Sequence, residues 1–289
     1  MHESVLLHEV IDGLQINDGD IVLDMTLGAG GHSKAILESG KNIRLIGIDQ
    51  DDTAIAIAKE TLGQWKKVTL VKGNFRDAEK LLADIGVSKV NKIIFDLGVS
   101  SMQLDDAKRG FSFRYDAPLS MTMSDQAKFS ARDIVNGWDE EDIANVIFAY
   151  GEERKARTIA KAIVRARGLK PIETTFELVT IVEQAVGKKP WMKTNPATKT
   201  FQALRIAVND ELGALKAGLI AAENLILPQG RIAVISFHSL EDRIVKNFMK
   251  NESKVHWKVL TKKPITATEE EISLNHRSRS AKLRIIEKI

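Results

Sequence analysis

Asp24-Met25-Thr26-Leu27-Gly28-Ala29-Gly30-Gly31-His32-Ser33 follows the apolar run Ile21-Val22-Leu23 directly and precedes a helix-like stretch, Lys34 to Glu38. That order reads as a strand, a tight glycine turn and a helix whose first N–H groups are free to meet a ligand. Asp49 ends the next apolar run, Leu45-Ile46-Gly47-Ile48, about 20 residues on, where a βαβ unit sets a carboxylate against ribose hydroxyls. The pair predicts a parallel sheet and a ligand with an adenosine end.

Three readings of the loop compete. The plainest is a turn that only lets a helix pack on a strand. A dinucleotide loop of the form G-x-G-x-x-G would need a third glycine where Ser33 stands, and the glycines here run G-x-G-G. The third ligand is S-adenosyl-L-methionine, which carries no phosphate but a positive sulfonium and a positive ammonium. Carboxylates suit it. Asp24, Asp49 and Asp96 are expected at the C-terminal ends of successive strands, around the crevice where open α/β sheets bind ligands. Opposite charges in such a partly desolvated cleft attract far more strongly than in water.

A chain of 289 residues allows one large domain with an insertion or two domains. With 44% hydrophobic residues and a mean hydropathy of −0.14, it can bury a sizeable core. The absence of cysteine excludes disulfides and thiolate metal sites, and the six histidines show no ligand spacing, so no metal is expected. Val5-Leu6-Leu7 is interrupted by His8 and Glu9, and no run approaches 18 apolar residues, so the expectation is a cytoplasmic protein without a membrane partner. A net charge of +3 is too small to argue for a polyanionic partner by itself. A P-loop pattern is absent.

Strand-like runs at Ile21 to Met25, Leu45 to Asp49, Val68 to Val71 and Lys92 to Leu97 alternate with helical patterns such as Ala54 to Leu62. The rhythm stops between about Asp105 and Thr198, where helical stretches at Asp139 to Tyr150, Glu152 to Arg167 and Thr175 to Val186 follow a turn-rich segment. It resumes after one long predicted helix, Phe201 to Leu227, broken by Pro228-Gln229-Gly230, with strands at Arg231 to Phe237, His256 to Thr261 and Ala281 to Ile289. The expected architecture is α/β: a seven-stranded Rossmann-like sheet formed by 1-104 and 200-289, with an inserted helical domain, 105-199. The insert is the more basic part. Arg154, Arg157, Lys161 and Arg165 recur every three or four residues on one helix face, either as an ordinary solvated face or as a hold on a phosphate backbone. Lys155, Arg167, Lys170, Lys188, Lys189, Lys193, Lys199 and the late run Arg277, Arg279, Lys282, Arg284 add to the basic count.

The chemistry is expected after the fourth strand, in Asp96-Leu97-Gly98-Val99-Ser100-Ser101-Met102-Gln103. An exocyclic base amine has its lone pair delocalised into the ring, so an acceptor such as the Asp96 carboxylate would draw it towards a nucleophilic geometry; the alternative is that Asp96 only caps a turn. Arg109-Gly110-Phe111-Ser112-Phe113 offers a cation and two rings, for core packing or for stacking on an extruded base. His238, in Ser236 to Arg243, is a further candidate for the target pocket, while Ser239 followed by Asp242 reads as a helix N-terminus.

These segments together resemble the bacterial small-subunit ribosomal RNA (cytosine-N4) methyltransferase family. The resemblance runs from His2-Glu3-Ser4-Val5-Leu6-Leu7 through the glycine loop, Asp96 to Asp105, Arg109 to Phe113, Tyr150-Gly151-Glu152-Glu153-Arg154, Pro196 to Ala203 and Phe237 to Arg243, to Arg279-Ser280. It implies a class I methyltransferase sheet, S-adenosyl-L-methionine as donor, and as acceptor a decoding-region cytidine of 16S rRNA, met within the small ribosomal subunit. It also implies cofactor contacts at Gly30, Gly31, His32, Asp49, Phe75, Asp96 and Gln103. Self-association, if any, is expected to give a homodimer. A nucleotide-dependent dehydrogenase and a non-catalytic RNA-binding protein that kept the sheet are the rival functions. The chain departs from the family pattern at Ser120, Thr122 and Ser124, which lose acids and an arginine, at Asn195 for a histidine, and at Lys199 for an arginine.

Overall fold

In the computed structural model, residues 4–39, 42–124, 127–188, 192, 194–252 and 257–289 are described. Two compact units emerge, one from residues 1–98 with 212–289 and one from residues 99–211.

The first unit is built on a seven-stranded sheet: β1 (Ile21–Asp24), β2 (Arg44–Asp49), β3 (Val68–Lys72), β4 (Val90–Asp96), β5 (Ile226–Ser236), β6 (Trp257–Val259) and β7 (Lys282–Lys288). Its order is β3-β2-β1-β4-β5-β7-β6, parallel from β3 to β5, with β7 antiparallel to β5 and β6. Helices α1 (Leu7–Leu14), α2 (Gly31–Glu38), α3 (Asp52–Leu62), α4 (Ala78–Asp84), α11 (Glu211–Leu225), α12 (Ser239–Glu252) and α13 (Glu269–Leu274) accompany it. Both sheet faces are covered, which is why its central strands read as continuous apolar runs rather than as alternating ones. Leu23, Ile46, Ile93 and Phe95 point to the layer containing Leu82, Leu215, Leu219 and Val245. Val22, Leu45 and Ile94, one residue out of phase, point to Val10, Leu14, Ile36, Ile55 and Leu62. Each such aliphatic side chain contributes about 1.5–3 kcal/mol by leaving water. The sheet order also makes a crevice: the chain turns one way from β1 to β2 and the other way to β4, so the carboxyl ends of β1 and β4 flank a topological switch point.

The second unit is helical: α5 (Ser101–Asp105), α6 (Ala131–Gly137), α7 (Glu140–Gly151), α8 (Ala156–Arg167), α9 (Thr175–Val186) and α10 (Ala197–Asn209). Ile143, Ile147, Ile159, Ile163, Leu178, Val182, Phe201 and Leu204 form its core. α10 therefore clusters with the insert and not with the sheet, through Ala197, Phe201 and Leu204.

Two expectations fail for local reasons. The single helix Phe201 to Leu227 is two helices, because Asp210 adopts a left-handed conformation (φ 46°) and Asn209 spends its side chain on the Arg205 and Met121 carbonyls and the Met123 N–H. β5 starts at Ile226, not at Arg231: Pro228-Gln229-Gly230 forms a bulge within it, and the pairing jumps from Val90 with Ile226 to Lys92 with Arg231. No helix among the described residues is long and apolar enough to cross a membrane. His2, Glu3, Lys189, Lys193 and His256 lie outside the described residues.

Candidate active site

Three neighbouring strands, β2, β1 and β4, end on Asp49, Asp24 and Asp96. The register carries β2 and β4 beyond Asp24, which pairs with Gly47 and Ile94, so the outer two carboxylates overhang the middle one. The glycine loop hangs between them. Gly28 N–H donates to Asp49 Oδ2 at 2.8 Å, while Thr26 Oγ1 accepts the Asp96 N–H at 2.6 Å. Asp24, buried beneath, accepts from Thr26 N–H (3.1 Å) and from Ser33 Oγ (2.7 Å). Gly30 is left-handed (φ 84°) at the head of α2, and a Cβ on Gly31 would run into Ser4 Oγ, so the loop and the N-terminal segment pass at backbone distance.

His32, on the first turn of α2, is held from both sides. Its Nε2 lies 3.0 Å from the Val5 carbonyl and its Nδ1 lies 3.5 Å from Asp96 Oδ2. The segment that supplies Val5 is fixed in turn by Leu6 N–H, which donates to Glu271 Oε1 at 2.8 Å.

Burial sets the charge state of the crevice. It raises Asp24 to about 6, against the lowering effect of its Ser33 and Thr26 hydrogen bonds. It raises Asp49 against the Asp51 and Gly28 N–H groups. It raises Asp96 to about 7, with the Glu241 carboxylate adding to the effect, and it lowers His32. Asp96 Oδ1 is buried with no hydrogen-bond partner. Leaving such an atom bare costs free energy, so it marks a place where a donor or a cation would be welcome. Burial disfavours the ionised form of all three carboxylates, a cost that a positive ligand in the crevice would offset and an anionic one would increase.

His238 and Glu241 close the crevice beyond β5, whose Ile235 pairs with Asp96. Glu241 is buried and accepts from the Phe237 and His238 N–H groups through Oε2, while His238 Nδ1 accepts the Glu241 N–H at 3.4 Å. The helix cap is thus the His238–Glu241 pair, one residue earlier than the expected Ser239 with Asp242. Asp242 instead pairs with Arg284, a buried side chain, and with Lys282, which withdraws two of the basic residues counted in the sequence. Phe75, half-buried just after β3, sets its ring edge-on against Phe95 with centroids 5.8 Å apart, and approaches Gly218 so closely that a Cβ there would strike it.

Within the helical unit, Gln103 is buried in the capping box of α5, its Oε1 accepting the Ser100 N–H. Arg109 is mostly buried, near Asp106 and the Met123 carbonyl. Phe111 is buried in the helical core, and Phe113, partly buried, packs against that core edge-on to Phe201 at 4.9 Å. Arg157, Lys161 and Arg165 form an exposed row on α8 without an ion-pair partner among the described residues, while Arg154, also exposed, lies in the turn before α8 and not on that helix face as expected. Other insert cations are engaged internally: Lys155 with the Val186 carbonyl, Arg167 with that of Val135, Lys170 with Glu177, and Lys188 with Glu183. Lys199 donates to the Glu152 carbonyl and Gln202 to that of Tyr150, while Gly151 lies so close to Lys199 that a Cβ would meet its carbonyl. The departures at Ser120, Thr122 and Asn195 are self-consistent: the two hydroxyls pair at 3.1 Å, and Asn195 caps α10 at Ala197 N–H while donating to Glu183.

Sequence reasoning missed Thr26, Ser33, Glu241 and the Val5 carbonyl. The first two stand inside the glycine loop itself, and Glu241 occupies the third position of a helix that follows a strand, where a capping carboxylate is a readable signal. The sheet order with an antiparallel β7 is that of a class I methyltransferase. Comparison with known proteins agrees in family. Ribosomal RNA small subunit methyltransferase H of Brevibacillus brevis is 47% identical over 307 residues, covering 100% of this chain and 98% of the relative. The protein of the same name from Deinococcus deserti is 50% identical over 291 residues, covering 100% and 94%. The solved structure of Aeropyrum pernix fibrillarin with natively bound S-adenosyl-L-methionine aligns over 97% of this chain and 73% of its own, with a TM-score of 0.42 and 10% identity. A model of the MraW methylase family matches residues 1–289, the chain from end to end. This chain belongs to the MraW methylase family.

Proposed function

We propose that this methyltransferase moves a methyl group from S-adenosyl-L-methionine to the exocyclic N4 of a cytidine in the decoding region of small-subunit ribosomal RNA, acting in the cytoplasm on the small ribosomal subunit. One observation carries the reading: three adjacent strands end on aspartates around a switch-point crevice in which Asp96 Oδ1 is buried and unpaired. The residues fit such a donor, since an acceptor-rich, phosphate-averse crevice suits a ligand with two positive charges. The names of the relatives support the substrate class.

In this reading Asp49 takes the ribose hydroxyls, the backbone at Gly30, Gly31 and His32 faces the amino-acid end, Phe75 flanks the adenine, and Gln103 completes the set. The donor supplies an electrophilic methyl on a positive sulfur. Asp96 accepts a hydrogen bond from the N4 amine, drawing its lone pair out of the ring, and the proton shed by the methylated amine passes to solvent. His238, beyond β5, borders the target base. The helical unit recognises RNA, with Arg157, Lys161 and Arg165 on phosphates and Arg109 near the base.

The test is incubation with methyl-labelled donor and small subunits from a strain lacking the modification, followed by nucleoside mass spectrometry. N4-methylcytidine at one decoding-region position is expected; label on another atom or base, or none, overturns the assignment. Asp96→Asn, measured at saturating donor, is expected to lower turnover about 30- to 1,000-fold, the worth of one charged transition-state hydrogen bond.

A further inference from the structure

We infer that His32 is the positioning residue for the proton of Asp96: a neutral imidazole with its hydrogen on Nε2, it accepts from the Asp96 carboxyl at Nδ1 and so keeps Oδ1 bare for the incoming amine. The inference rests on the proposed methyl transfer but on different observations. A carbonyl oxygen can only accept, so the 3.0 Å contact between Nε2 and the Val5 carbonyl requires the hydrogen on Nε2. In the neutral ring Nδ1 is then an acceptor. It faces Asp96 Oδ2 at 3.5 Å, the outer edge of hydrogen-bond range. Two acceptors face each other there unless a proton lies between them, and the carboxyl is the group able to carry it.

The surroundings agree. His32 is buried, and burial disfavours the imidazolium, while Asp24 on β1 pulls the other way. Burial and the Glu241 carboxylate on α12 both favour the protonated form of Asp96. Asp24 and Glu241 are the other titratable groups that bear on the pair from the elements packed around it, and each is hydrogen-bonded elsewhere, Asp24 to Ser33 and Thr26 and Glu241 to two backbone N–H groups. The two Asp96 oxygens are therefore distinct: Oδ2 is turned to His32, and Oδ1 is buried without a partner. An Asp96 whose proton had no fixed seat would present the hydroxyl to the amine in part of the molecules, and a hydroxyl cannot draw out an N–H. The Val5 segment, anchored by Leu6 on Glu271, acts through His32 in the same sense.

Two measurements test this. In donor-free protein labelled with 15N-histidine, nitrogen NMR below pH 7 is expected to show His32 with a protonated Nε2 and an unprotonated Nδ1; an imidazolium or the opposite tautomer overturns the inference without any activity being measured. His32→Gln keeps an amide N–H for Val5 and removes the Nδ1 acceptor. With that seat gone the carboxyl hydrogen can turn to the amine, so the single-turnover rate is expected to fall several-fold against wild type below about pH 7, where Asp96 holds its proton, and to converge on it above. A variant-to-wild-type ratio that does not change with pH refutes the role of His32. Methylation by the wild-type protein is scored separately, so its failure strikes the proposed function, and a pH-independent ratio with methylation intact strikes only this inference.

Discussion

Replacing Asp96 by Asn is expected to make the donor-free protein more stable while disabling it, and the size of the gain follows from the crevice. The carboxyl is raised from 3.8 to about 7, chiefly by burial. In an unfolded chain it ionises near its ordinary value, so between about pH 4 and pH 7 unfolding releases a proton that the native state retains, and native stability falls as pH rises through that window. Three pH units at 1.36 kcal/mol each set an upper value near 4 kcal/mol. The side chain is 29% exposed, and solvent screening reduces this to roughly 2 kcal/mol. Asn is neutral at every pH, so its advantage should be small near pH 4, grow up to about pH 7 and stay constant above. Differential scanning calorimetry of the sheet transition, in which about 1 kcal/mol is worth about 2–4 °C for a unit of this size, should show a gap that widens by several degrees from pH 5 to pH 8. A gap that does not change with pH, or a variant less stable than wild type at pH 8, would refute the claim that burial strains this carboxylate.

Asp49→Ala should weaken S-adenosyl-L-methionine binding by about 2–4 kcal/mol, since it removes the acceptor proposed for the ribose and the brace on Gly28 N–H; unchanged affinity by calorimetry takes Asp49 out of the site. Neutralising Arg157, Lys161 and Arg165 together should weaken RNA binding and flatten its salt dependence by about one unit of log–log slope per lost phosphate contact, with donor affinity preserved; an unaltered slope makes the row an ordinary solvated face. Gly151→Ala puts a methyl 2.6 Å from the Lys199 carbonyl and should cost about 1–3 kcal/mol of stability in the helical unit, read as a lower melting temperature, which an unshifted transition would contradict.

The parallel strands were legible because a sheet covered on both faces leaves unbroken apolar runs, and Asp24, Asp49 and Asp96 were legible because each ends such a run. What local sequence could not carry was competition for side chains. Phe111 and Phe113 look alike in sequence, and only the fold separates them: Phe111 is buried in the helical core, while Phe113 is partly buried at its edge against Phe201. The basic count of the insert overstated its free surface, since Lys155 and Arg167 donate to carbonyls 31 and 32 residues away, out of reach of any local pattern, and Lys170 and Lys188 pair with Glu177 and Glu183 on α9. The break at Asp210 escaped because the helical pattern runs through it, and what stops the helix is Asn209 bonding back to Met121 and Met123. Two of the blocks that carry the family resemblance, Tyr150 to Arg154 and Pro196 to Ala203, prove to bind each other through Lys199, Gln202 and Gly151. At Lys199, Gln202 and Gly151 the side chain, or its absence, therefore serves a helix junction.

The pairing of β4 with β5 has a consequence for how the chain is made. Asp96 finds its neighbour only at Ile235, and the whole helical unit is synthesised between the two strands. At about 5–20 residues per second, the roughly 130 residues that separate β4 from β5 take on the order of ten seconds to emerge. Throughout that interval Ile93, Ile94 and Phe95, fully buried in the finished sheet, belong to a strand with one open edge, the arrangement that invites pairing with another nascent chain. The helical unit, with its own core, is able to fold during the wait. A slower passage of the ribosome through the insert would lengthen the exposure of β4, so the yield of native protein should depend on codon speed between residues 97 and 225 more than on codon speed elsewhere in the message.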